Sequence, residues 1–78
     1  MDDINLGVLR RRLCMLREKQ RRKQYIVSEL CGLNQSTLRR YERGERVPGL
    51  KEIGEIADYY EVSIDYLCGR TDNPKINT

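Results

Sequence analysis

The run Gln24-Tyr25-Ile26-Val27-Ser28-Glu29-Leu30-Cys31-Gly32-Leu33-Asn34-Gln35-Ser36-Thr37-Leu38-Arg39-Arg40-Tyr41-Glu42-Arg43-Gly44 holds two short helical patterns around one glycine. Val27, Leu30 and Cys31 share one face of a helix over Gln24–Cys31. Gly32 supplies the permissive backbone that a sharp turn between helices needs. Asn34 is a good N-cap, so the next helix is predicted from Gln35 to about Arg43, with Leu38 and Tyr41 pointing inward. Gly44 stops it, and a polar loop runs on through Pro48.

The flanks carry the same kind of pattern. Upstream, Leu6, Leu9, Leu13 and Leu16 recur at steps of three and four, which predicts an amphipathic helix over 6–20 with Asn5 as its cap. Downstream, Leu50, Ile53, Ile56, Ala57 and Tyr60 form the apolar stripe of a fourth helix. Ser63 then caps a short fifth helix over Ile64–Cys68, which Gly69 closes. Residues 71–78 are polar and contain Pro74, and are expected to form a flexible C-terminal tail. No alternating strand pattern, repeat or low-complexity tract is present. The expected architecture is all-α: one domain over 1–70, a compact bundle of five short helices.

Composition excludes several kinds of chemistry. With 78 residues the chain supports one small core and no large enclosed cleft. There is no histidine, which rules out a His-based triad, a His general base and a His metal ligand. Cys14, Cys31 and Cys68 show no C-x-x-C spacing, and read as reduced thiols buried among apolar neighbours. The six glycines are scattered rather than gathered into a phosphate-cradling loop. No cofactor and no metal are expected. No run of ~18 apolar residues spans a membrane, and the acidic Met1-Asp2-Asp3 start is unlike a secretory signal. The expected location is cytoplasmic.

The net charge of +3 conceals an asymmetry. Residues 10–46 hold twelve Lys or Arg against four acids, whereas residues 47–78 hold three against six. One half is suited to a polyanion, and nucleic acid is the natural one, because Lys and Arg contacts to phosphate release counterions. The plainer alternative is a set of solvated helix faces.

The run quoted above, continued through Glu45-Arg46-Val47-Pro48, resembles the phage repressor and Cro-like (XRE-type) helix–turn–helix family. The shared pattern is a Gln opening the second helix, a small residue four later, a turn Gly, then Ser-Thr-Leu and Tyr-Glu-Arg-Gly with a following Pro. Val62-Ser63-Ile64-Asp65-Tyr66-Leu67-Cys68-Gly69 also resembles the way these domains close, so the likeness covers nearly all of 6–74. It implies a lambda-repressor-like fold whose third helix enters the major groove of double-stranded DNA.

The resemblance implies roles for individual residues. Gln35, Ser36 and Arg40 match base-contacting positions. Gln can bond adenine through two hydrogen bonds, Ser can donate or accept, and Arg can read guanine O6 and N7. Gln24 matches the family's phosphate-gripping Gln. Arg39, Arg43 and Arg46 are expected on the sugar–phosphate backbone, Thr37 on the backbone or a thymine methyl, and Lys23, beside Gln24, is expected to add to backbone binding. Arg17 and Glu42 fall where the family places an internal ion pair. Ser28 and Gly32 are small where two helices approach closely. The Arg10-Arg11-Arg12 cluster fits either flanking phosphate or a solvated face.

The chain departs from the family between its first two helices. A Gly, an aliphatic residue and a capping Ser or Thr are usual there, and this chain has Arg21, Arg22 and Lys23. The second helix thereby loses a side-chain cap worth ~1 kcal/mol, and either a looser linker or a longer first helix is expected. Tyr25 and Ile26 are also unusually apolar for their positions.

The function that follows is a sequence-specific DNA-binding transcriptional regulator, repressor-like, working as a homodimer on a palindromic operator. The acidic fourth and fifth helices, with Ile64, Tyr66 and the tail, are the expected dimer surface. A chain this short leaves no room for a sensing domain, so control is expected through concentration, assembly or a protein antirepressor. Two rivals remain: an antitoxin that also binds a toxin, and an interaction module using Tyr25, Ile26 and Tyr59 that has lost DNA readout. An enzyme is the weakest reading.

Overall fold

The computed structural model describes residues 4–76. Asn5 opens it, its Oδ1 accepting the Val8 N–H at 3.0 Å to cap α1 (Leu6–Gln20). Leu9 and Leu13 are buried and Leu16 packs against the core, but Leu6, at the first turn, stays half in solvent. The helix ends at Arg21, which takes the left-handed conformation (φ 56°) and donates its N–H to the Glu18 carbonyl at 3.0 Å. Arg21 therefore adopts the backbone that favours glycine, and α1 does not run on. The linker is a tight turn at the cost of a strained non-glycine residue.

Helix α2 (Gln24–Leu30) starts from Lys23, which gives it no side-chain cap. Its inward residues are Val27, Ser28 and the following Cys31, while Leu30 is 54% exposed, against the sequence expectation. Facing positions at Gln24, Val27, Ser28 and Cys31 leave Leu30 one step round the helix, ~100° away. Ser28 takes the inner place because its Oγ accepts the N–H of Leu38 at 3.0 Å, in a fully buried contact. Gly32 is required by its positive φ of 75° rather than by close packing, since a Cβ there would meet only Glu55 Oε2 at 3.8 Å.

Helix α3 (Thr37–Arg43) begins two residues after the start that Asn34 as a cap predicts. Asn34 instead folds the turn: its Oδ1 accepts both the N–H and the hydroxyl of Ser36, at 3.1 and 3.0 Å. Its carbonyl accepts the Thr37 N–H at 3.0 Å. Gln35 and Ser36 thus stand in the turn just ahead of α3. Leu38 and Tyr41 point inward, and Gly44 ends the helix at φ 76°.

Helix α4 (Leu50–Tyr60) buries Ile53, Ile56 and Ala57, but Leu50 is 83% exposed and lies outside the expected stripe. The core stops one turn short of that helix end. Ser63 caps α5 (Ile64–Leu67), its Oγ accepting the Tyr66 N–H at 3.0 Å. Each helix sends one fully buried apolar side chain to the centre: Leu13, Val27, Leu38, Ile56 and Leu67. No strand occurs among the described residues.

The chain beyond α5 is tied down by Arg12. Its guanidinium lies 4.1 Å from the centroid of the Tyr66 ring and donates to the Tyr66 carbonyl, the Thr71 carbonyl (2.7 Å) and the Asp72 carboxylate (2.7 Å). The Pro74 carbonyl accepts the Ser63 N–H at 2.9 Å. Residues 71–74 are therefore anchored where the sequence suggested a loose tail, and Arg12 is a structural clasp. Asn77 and Thr78 lie outside the described residues. Cys31 and Cys68 are buried, as expected of small apolar side chains. Cys14 is only half-buried, and its thiol donates to Glu18 Oε1 at 2.9 Å. That bond and burial push its pKa up.

Candidate nucleic-acid interface

Glu42 organises the face built by α1, α2 and α3. Arg17 meets it with two parallel bonds, Nε to Oε2 at 2.8 Å and Nη2 to Oε1 at 2.9 Å. Gln24 Nε2 donates to the same Oε1 at 3.0 Å, and Arg17 Nη1 donates to the Arg22 carbonyl at 3.0 Å. The two charged side chains are 17% and 5% exposed. Pairing with Glu42 raises the Arg17 pKa despite partial burial. A planar fork against a carboxylate is the geometry in which such a pair orients its neighbours best. The nearby Tyr60 hydroxyl is buried without a hydrogen-bond partner among the described residues, and burial raises its pKa.

In front lies an open groove of about 780 Å³ between α2 and the α3 turn, lined by Arg17, Lys23, Gln24, Tyr25, Gln35, Ser36 and Arg39. The structure thus gathers Lys23, Gln24, Gln35, Ser36 and Arg39. Thr37, Arg40 and Arg46 line a separate depression with Leu33, Asn34, Tyr41 and Glu52, and Ser36 borders both. Arg39 and Arg40 are neighbours in sequence, yet a ~100° helical step sends them to different sides of the α3 ridge. Arg43 stands apart, in an exposed ion pair with Glu45 at 2.9 Å, of the kind worth little. Among the described residues, Lys23, Arg39, Arg40 and Arg46 make no ion pair. Their charge is available to an anion.

Gln35 and Ser36 are held by short-range contacts. Ser36 spends its hydroxyl hydrogen on Asn34, which leaves its oxygen as an acceptor. Gln35 Nε2 donates to Glu29 Oε1 at 2.7 Å. Sequence reasoning missed Glu29: its only signal was an acid in the middle of a basic segment. In the linker, Arg22 Nη1 donates to the Tyr59 hydroxyl at 2.9 Å, which in turn donates to Gln20 Oε1 at 2.6 Å. Tyr59 is thus engaged within the chain, and Tyr25 remains exposed. No cluster of potential metal ligands occurs among the described residues, and no described helix is long and apolar enough to cross a membrane.

A helix–turn–helix family model matches residues 15–67. The chain is 34% identical over 62 residues to the cryptic phage CTXphi transcriptional repressor RstR of Vibrio cholerae serotype O1, covering 80% of this chain and 55% of that protein. It is 36% identical over 59 residues to the HTH-type transcriptional regulator AnsR of Bacillus subtilis, covering 76% and 51%. To the uncharacterised HTH-type regulator YobD of the same organism it is 33% identical over 63 residues, covering 81% and 56%. The chain spans about half the length of the curated relatives it matches. No solved structure matches it. With α2, the Gly32 turn and α3 inside the matched span, this chain belongs to the helix–turn–helix family.

Proposed function

We propose that the chain is a sequence-specific double-stranded DNA-binding transcriptional regulator, repressor-like, that presents α3 and the turn ahead of it to the major groove. The observation that carries this reading is the arrangement of unpaired basic side chains on both sides of Gln35 and Ser36. Base edges are met by Gln35, Ser36 and Arg40, and phosphates by Lys23, Gln24, Thr37, Arg39, Arg43 and Arg46. Arg17 and Glu42 hold α1, α2 and α3 in register beneath them. The names of the relatives, a phage repressor and an HTH-type regulator, support the regulator reading. The place of action is the cytoplasm, where bacterial and phage operators lie.

Two copies on a palindrome, with half-sites ~34 Å apart, give the discrimination that one small domain lacks. Exposed Ile64 is the apolar group on α5 available to a second copy, whereas Tyr66 is covered by Arg12. Selection from a random duplex library at ~150 mM salt tests the reading. Recovery of a palindrome, with one base position relaxed in Arg40→Ala, is the expected result. Enrichment of no sequence, with weak binding lost on added salt, refutes it.

A further inference from the structure

The Gln35 side chain is exposed in the turn ahead of α3, and its amide Nε2 donates to Glu29 Oε1 across the turn at 2.7 Å. A glutamine amide can turn either edge to a neighbour, its oxygen or its amino group. An ionised carboxylate only accepts, so Glu29 admits the amino edge alone. One N–H and Oε1 are left for an outside partner, in one fixed order along the amide. Adenine presents the complementary pair in the major groove, an N7 acceptor beside an N6 amino donor. Glu29, one hydrogen bond from Gln35, also places a negative charge beside a groove lined by Lys23 and Arg39, and so weakens non-specific attraction to phosphate.

We propose that Glu29 is a positioning residue for base readout, holding the Gln35 amide in the orientation that matches adenine and so setting the preference at one operator position. The proposal rests on the chain being a sequence-specific DNA binder. Glu29 touches no base in this arrangement; it acts through Gln35.

Duplex selection with the unaltered chain, Glu29→Gln, Gln35→Ala and the double variant tests it, with thermal melts to verify folding of these surface variants. Glu29→Gln keeps the size of the side chain, removes the charge, and can donate as well as accept, so either edge of Gln35 can pair with it. The adenine preference at one position falls about threefold to tenfold in Glu29→Gln, while affinity for unrelated duplex rises. Gln35→Ala loses the preference at the same position, and adding Glu29→Gln changes nothing further there. An unchanged preference in Glu29→Gln overturns the proposal and leaves operator reading intact. A change that persists in the Gln35→Ala background also overturns it, because Glu29 would then act independently. If the unaltered chain selects no sequence, the regulator reading fails and this proposal fails with it.

Discussion

The buried N–H of Leu38 donates to Ser28 Oγ at 3.0 Å, so that a serine of α2 caps the helix that follows it. The contact joins the two helices through one hydrogen bond in the driest part of the fold. It sets how α3 stands on α2, and hence where the Gln35 turn lies. Ser28→Ala leaves that N–H unsatisfied and is expected to lower stability by ~1–3 kcal/mol. Urea unfolding of the variant beside the unaltered chain measures it, and a loss under a few tenths of a kcal/mol would show that the amide finds another partner.

Glu42 neutralises Arg17 and orients Gln24 at once. Glu42→Gln keeps the shape but leaves a partly buried guanidinium without its counter-charge, with an expected loss of ~2–3 kcal/mol. Shielding by the fold makes this pair insensitive to salt, so the difference between the two chains should persist in 1 M NaCl. A difference that vanishes in high salt would place the pair among ordinary surface contacts.

Tyr60 carries a buried hydroxyl with no hydrogen-bond partner among the described residues. Its removal in Tyr60→Phe deletes a desolvated polar group and no hydrogen bond, so stability is expected to hold or to rise by up to ~1 kcal/mol. A thermal melt decides this, and a clear loss of stability would reveal a bond to a buried water.

Alkaline pH is expected to weaken the fold. Burial pushes the Cys31 thiol up to about 11, from an ordinary value of 9.0. The unfolded chain therefore loses this proton first as pH rises, and the folded state binds more protons between the two values. The stabilising contribution is complete below pH 9.0 and disappears as pH climbs through about 11. Cys68, also raised by burial, adds in the same direction. Denaturation midpoints at pH 8 to 11 should fall along this window, and Cys31→Ala should flatten the fall.

Local chemistry made much of this molecule legible in its sequence. The bounds of α1 followed from the Asn5 cap and the leucine spacing, and α5 followed from Ser63, because caps and periodicity act over only a few residues. Leu38, Tyr41 and Gly44 were legible for the same reason. The matched family span also lies within the stretch whose motifs carried the resemblance. Tertiary structure alone decided what depended on distant partners. It turned Leu30 and Leu50 to solvent, because the core is narrower than the apolar pattern on the helices. It made Arg12 a clasp on residues 54 to 60 positions away, and it set Glu29 against Gln35 across the turn. Spacing along a chain encodes which face of a helix is apolar. Which polar group meets which across the fold depends on how the helices dock, and docking is settled only when all five pack together.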